Sequence, residues 1–204
     1  RLSDAAAYLK SITEKEAYAP NPRLFLTYAQ VLHQLGDDQR SLQLALQALE
    51  LVQEGKTISE SEWLDLVGLL MKSDQFEAAL TAAHAGLNKF STSRDLFALS
   101  AKIHFLMGNP EDALSSAFAA QAAGSYAESL GEEAVAESAD SDRISYISSM
   151  DLQRVLIDSL EALGSWDAAY TERLAMLEGQ SEPESKELKD LALCAFSAER
   201  YDHV

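Results

Sequence analysis

Apolar and polar positions follow the helical period along this chain and fall into phrases that recur. LGDDQRSLQLALQAL, KSDQFEAALTAAHAGL, MGNPEDALSSAFAAQ and LGSWDAAYTERLAML each place a short polar turn ahead of a helix with small residues every third or fourth place. The equivalent turn residues are Gly36, Asp74, Gly108 and Gly164, separated by steps of 38, 34 and 56 residues. Steps of 34 and 38 belong to two-helix solenoid repeats, in which each hairpin buries its apolar face against its neighbours.

The pattern predicts one helix over 3–18, broken at Ala19-Pro20-Asn21-Pro22, where the prolines and the residues before them leave the helical region. A first hairpin follows over 22–56. Its first helix (22–35) carries Leu24, Tyr28, Val31, Leu32 and Leu35 inward, and its second turns Leu42, Ala45, Leu46, Leu49 and Val52 inward before Gly55 closes it. The second hairpin, 60–91, opens on the capping box Ser59-Glu60-Ser61-Glu62, with Trp63, Leu66, Val67 and Leu70 as its stripe and Ala79, Leu80, Ala83 and Leu87 on the return helix. The third, 94–124, uses Phe97, Ala101 and Phe105, turns at Gly108-Asn109-Pro110, and returns through an alanine-rich helix ending at Gly124. A fourth (150–179) rests on Leu152, Val155, Leu156, Leu160, Trp166, Ala169 and Tyr170. A partial fifth (185–204) carries Leu188, Leu191, Ala192 and Phe196 into a turn at Glu199-Arg200-Tyr201. The chain opens on what reads as the second helix of a pair and closes as another begins, the pattern of a piece of a longer array or of one with disordered flanks.

These hairpins resemble the tetratricopeptide repeat family. The family's first-helix pattern appears as Trp63-x-x-Leu66-Val67-x-x-Leu70 and more loosely as Phe25-x-x-Tyr28-Ala29-x-x-Leu32. Its turn aromatic followed by alanine appears as Phe76…Ala79 and Trp166…Ala169, with Pro110…Ala113 as a variant. The family glycine is replaced by Ala29, Val67, Ala101, Ile157 or Ala192, and Asp38 replaces the first turn aromatic. The resemblance covers about 22–123 and 150–204. It implies a single all-α domain over 1–204: a right-handed α-solenoid of antiparallel helix pairs, with four to five repeats and one helical, acidic insertion over 125–149.

The resemblance also implies a function. In such arrays the first helix of each pair lines a concave groove that holds a peptide or helix of a partner protein. Carried onto this chain, the groove takes Arg23, Leu26, Gln30, His33 and Gln34. The second repeat adds Leu64, Gly68, Met71 and Lys72, and the third adds Asp95, Ala98, Lys102, Phe105 and Leu106. Cations beside apolar side chains suit an acidic-hydrophobic segment, while Asp151, Arg154, Asp158 and Glu161 beyond the insertion would repel one. The places at which chaperone-tail clamps need Lys and Asn hold Leu26, Gln30 and Asp65 here, so that subtype is not expected.

Composition narrows the picture in one respect. With 33 acidic residues against 16 basic, the net charge of −17 disfavours nucleic acid and anionic membrane surfaces. The longest apolar run, Leu66 to Met71, is too short to span a membrane. A lone Cys194 precludes an intramolecular disulfide and reads as a buried thiol. With no sequon at Asn21, Asn88 or Asn109 and a start at Arg1 rather than Met, a cytoplasmic and an exported bacterial location both stay open.

The chain carries no glycine-rich phosphate loop, nucleophile elbow or zinc helix motif, and His33, His84, His104 and His203 lack ligand spacing, so no enzyme, cofactor or metal is expected. His104 reads as a packed histidine. The stretch from Tyr126 to Asp142 holds six acidic residues and no basic one, and reads as a solvated connector or as an acidic flap over the groove. Two alternatives to groove binding remain: self-association through helix 111–123 or the array ends, and service as a regulatory domain attached to an enzyme or to a bacterial envelope or secretion assembly.

Overall fold

The computed structural model of the chain describes residues 1–13, 20–129, 148–178 and 185–198. Every regular element among them is an α-helix: α1 (Leu2–Thr13), α2 (Pro22–Gln34), α3 (Asp38–Gln53), α4 (Glu60–Lys72), α5 (Phe76–Leu87), α6 (Arg94–Leu106), α7 (Pro110–Ser129), α8 (Ser149–Ala162), α9 (Trp166–Glu178) and α10 (Ser185–Ser197). The last part of the helix expected over 3–18, most of the acidic insertion, and the turn at Glu199-Arg200-Tyr201 lie outside the described residues.

Local chemistry sets where each helix starts. Asn21, Asp37, Ser59, Ser93 and Ser148 each accept a hydrogen bond from a backbone N–H of the helix that follows, satisfying a donor that has no partner within the helix. Ser59 forms the expected reciprocal box, with its own N–H donating to Glu62 at 2.6 Å.

The intra-hairpin turns share one geometry. After α2, the Asp37 N–H donates to the Leu32 carbonyl at 2.9 Å and the Gly36 N–H to the His33 carbonyl at 3.0 Å, a Schellman closure. The same pair recurs around Asp74, Gly108 and Gly164. It requires a left-handed residue at the centre, and φ is +81° at Gly36, +55° at Asp74, +77° at Gly108 and +73° at Gly164. These are the four positions whose spacing defined the repeat.

Each helix packs on the next from α1 to α10, and the first helices of successive pairs also stack, α2 on α4, α4 on α6 and α6 on α8. α8 therefore meets α6 and α7 as if it followed them directly, and the long step from Gly108 to Gly164 leaves the stack continuous. Ala29, Val67, Ala101 and Ile157 stand seven residues before the turn and Ser41, Ala79, Ala113 and Ala169 five after it in the four hairpins, and all are buried. Where Ser41 replaces alanine, its hydroxyl donates to the Ala29 carbonyl at 2.8 Å, which satisfies it inside the core.

Several expectations need correction. α7 does not stop at Gly124 but runs through it to Ser129. Gly124 lacks the positive φ of a terminator, and a Cβ there would lie 3.2 Å from Arg94 Cδ, so the glycine serves a close approach between α7 and α6. Leu35 is exposed because it caps α2 rather than belonging to its stripe, and Leu46 is exposed because Ala45, Ala48 and Leu49 fill the interface. Trp166 sits partly out at the first position of α9, while Ala169 and Tyr170 are buried. On α10, Leu188 and Phe196 face outward and Cys194 and Ala195 inward, because no described helix covers the other side. Cys194 is buried as expected, and that burial raises the pKa of its thiol.

Candidate functional site

The expected groove is the face formed by α2, α4 and α6, and the structure divides its residues into three groups. Leu26 and Leu64 are only 2% and 1% exposed, and Ala98 is fully buried. Their assignment to a binding surface is corrected: they lie on the seam where successive first helices touch, and removing their apolar surface from water is worth more there than exposure to a partner. A ligand cannot reach them without opening the stack.

A second group is engaged in polar contacts, some within a hairpin and some between repeats. Arg23 reaches from α2 to Glu62 on α4, Nε to Oε1 at 3.3 Å, so it is not the unpaired cation that its sequence position suggested. Gln30 hydrogen-bonds the half-buried Asp65 of α4, whose carboxyl pKa is raised first by burial. His33 Nδ1 stands 2.7 Å from Asp38 Oδ1 at the start of α3, tying the ring to its own hairpin. Asp95 pairs with Arg94 at 3.3 Å, and Arg94 Nη2 donates to Ser149 Oγ at 3.0 Å.

The third group remains available. Met71 and Phe105 are half-buried, Leu106 is 50% exposed, and Lys72 is exposed. Among the described residues neither Lys72 nor Lys102 has a carboxylate within ion-pairing distance; Lys72 acts on Asp65 only at longer range. Helical spacing puts Gly68, Met71 and Lys72 on one face of α4, and Lys102, Phe105 and Leu106 on the same face of α6. On these two helices the side chains of the expected groove left accessible are thus Met71, Phe105 and Leu106, with Lys72 and Lys102.

The acidic stretch beyond α6 proves largely compensated, because Arg154 lies 3.8 Å from Asp151 and 3.4 Å from Glu187. Arg173 lies 2.6 Å from Glu161 and 3.9 Å from Asp190. Asp158 is exposed at its surface yet partly desolvated by its neighbours, which together with Glu161 raises its pKa against the opposing Arg173 and Arg154. Arg173 was missed by sequence reasoning although a signal was present: it occupies the place nine residues past the turn that Ala45, Ala83 and Ala117 fill in the other hairpins. Among the described residues no group of three or more His, Cys, Asp or Glu side chains is arranged to hold a metal, and no helix is long and apolar enough to cross a membrane.

No known family profile matches the chain. No curated protein matches it by sequence either. Solved structures do match over most of its length. YrrB, described as a TPR protein with an unusual peptide-binding site, is 16% identical and aligns over 95% of this chain and 84% of its own, with a TM-score of 0.63. MamA from Desulfovibrio magneticus RS-1 is 15% identical over 89% of this chain and 88% of that one, also at a TM-score of 0.63. TTC0263, a TPR protein of Thermus thermophilus, is 14% identical over 96% and 91%, at a TM-score of 0.52. With the helix pairs, the left-handed turns and the stacked first helices, these likenesses give the chain its fold: an all-α solenoid of the tetratricopeptide-repeat type.

Proposed function

We propose that this chain is a non-enzymatic scaffold that binds an extended acidic-hydrophobic segment of a partner protein along the α4–α6 face. The observation that carries the reading is that Lys72 and Lys102, which have no carboxylate within ion-pairing distance among the described residues, share their helix faces with Met71, Phe105 and the half-exposed Leu106 on a chain of net charge −17. A ligand carboxylate set against these lysines gains charge-assisted hydrogen bonds, and apolar anchors covered by the ligand supply most of the affinity. The peptide-binding site named for YrrB, a chain of the same fold, supports the class of ligand without locating it here.

The test is calorimetry with acidic-hydrophobic peptides selected on an array. Lys72→Glu/Lys102→Glu should weaken binding by about 1–3 kcal/mol if both lysines make charge-assisted contacts. Unchanged affinity would remove the α4–α6 face from consideration. A second reading, self-association, has its own observation in the exposed Leu188, Leu193 and Phe196 of α10. The alanine-rich helix offers it less, since Ala113, Ala117 and Ala120 are spent on packing within the chain. A mass by light scattering that stays monomeric as concentration rises would dismiss that second reading.

A further inference from the structure

We propose a second docking site at the edge of the solenoid, formed by the end of α3, the loop joining it to α4 and the end of α5. Its occupant is an extended segment of a partner protein that carries one bulky apolar side chain beside an acidic residue. A cavity of about 420 Å³ opens there, lined by Val52, Ile58, Trp63, Ala85 and Phe90 and by the exposed Lys56 and Lys89. Ligand pockets start at roughly 300 Å³, so the space accommodates an aromatic or large aliphatic side chain with its neighbours.

The floor is preformed. Trp63 is buried, and its indole lies against Gly86, where a Cβ would come within 3.2 Å of Trp63 Cγ. Ile58 comes from a loop residue that is nonetheless buried, so apolar surface faces the cavity without any rearrangement. Two observations identify the occupant. Among the described residues Lys56 and Lys89 have no carboxylate within ion-pairing distance, which fits an anionic ligand with an apolar tip. The backbone N–H groups of Thr57 and Ile58 donate to no group of the described chain, which leaves two successive main-chain donors for the carbonyls of an extended segment. The site stands at the helix ends and is independent of the α4–α6 face proposed above.

Trp63 reports on it directly once Trp166→Phe removes the other indole. The probe is the peptide acetyl-Ser-Asp-Phe-Glu-Ser-amide, titrated alongside its Phe-to-Ala counterpart and sodium decanoate. The expected result is a saturable change in Trp63 emission with the Phe peptide alone. Lys56→Glu/Lys89→Glu should weaken it about 10-fold or more through two lost charge-assisted contacts. Ala85→Phe, which fills the cavity, should abolish it with the helical circular dichroism retained. Absence of a saturable change overturns the proposal, as does equal binding of the alanine peptide. Binding of decanoate in place of the peptide overturns the protein-segment occupant. Loss of peptide binding in Lys72→Glu/Lys102→Glu but not in Lys56→Glu/Lys89→Glu moves the peptide to the other face and also overturns it.

Discussion

His104 shows what a single position costs in a repeat. Four residues before the turn, the other hairpins place Leu32, Leu70 and Leu160, whereas the third places an imidazole only 12% exposed. Its Nδ1 is buried with no hydrogen-bond partner, 3.9 Å from Asp112 Oδ2, and its ring centroid lies 6.2 Å from that of His84. Burial lowers the His104 pKa; His84 lowers it further and Asp112 opposes. The unfolded chain therefore takes up a proton near the ordinary value of about 6.5 while the folded chain does not, so this histidine subtracts stability as pH falls through that value. His104→Leu should gain about 1 kcal/mol near neutral pH by removing an unsatisfied polar atom. It should also flatten the decline of melting temperature between pH 7.5 and 5.5 relative to wild type. An unchanged decline would assign the pH dependence to other groups. The packed nature of His104 was legible from its apolar helix face, but the missing partner was not, since it depends on how far α7 stands from α6.

At the scale of the element, the turns were legible and the faces were only half so. A left-handed residue after each first helix is a local backbone demand that glycine meets and aspartate tolerates, so Gly36, Asp74, Gly108 and Gly164 could be aligned by eye. Burial across a seam is not local. Leu26 and Leu64 share helical phase with Gln30 and Gly68, and nothing within their own helices indicates that the next first helix covers the former pair. The shared turn makes an ordering testable. A Cβ at Gly108 would meet nothing within 4 Å, so substitution there probes backbone strain alone. Gly108→Val should cost about 1–2 kcal/mol, and Gly108→Asp clearly less, because Asp74 already occupies the equivalent place. Urea denaturation gives the comparison; equal losses would mean that Asp74 is not the equivalent of the glycines.

For the whole molecule, the junction between the fourth hairpin and α10 differs from the first in the burial of its cation. The first two hairpins are also bridged, by the 60% exposed Arg23 to Glu62 and by Gln30 to Asp65, whereas here a cation only 12% exposed, Arg173, joins Glu161 of α8 to Asp190 of α10. Its acidic partners are partly exposed, which discounts the pairing, yet removing the arginine leaves both without their cation. Arg173→Ala should cost about 1–3 kcal/mol and should raise hydrogen exchange in α9 and α10 while leaving α2 to α5 near wild type. Uniform destabilisation along the chain would contradict a junction that acts locally. The continuity of the stack bears on the order in which the chain folds. Contacts within 22–129 join neighbouring helices and close short loops, whereas Arg94 finds Ser149 only across 55 positions. Closing that longer loop has a higher entropic cost, so the first three hairpins can nucleate and consolidate before α8 arrives. A nascent chain would thus hold a formed α4–α6 face, with Lys72 and Lys102 in place, before α8 and α9 have docked.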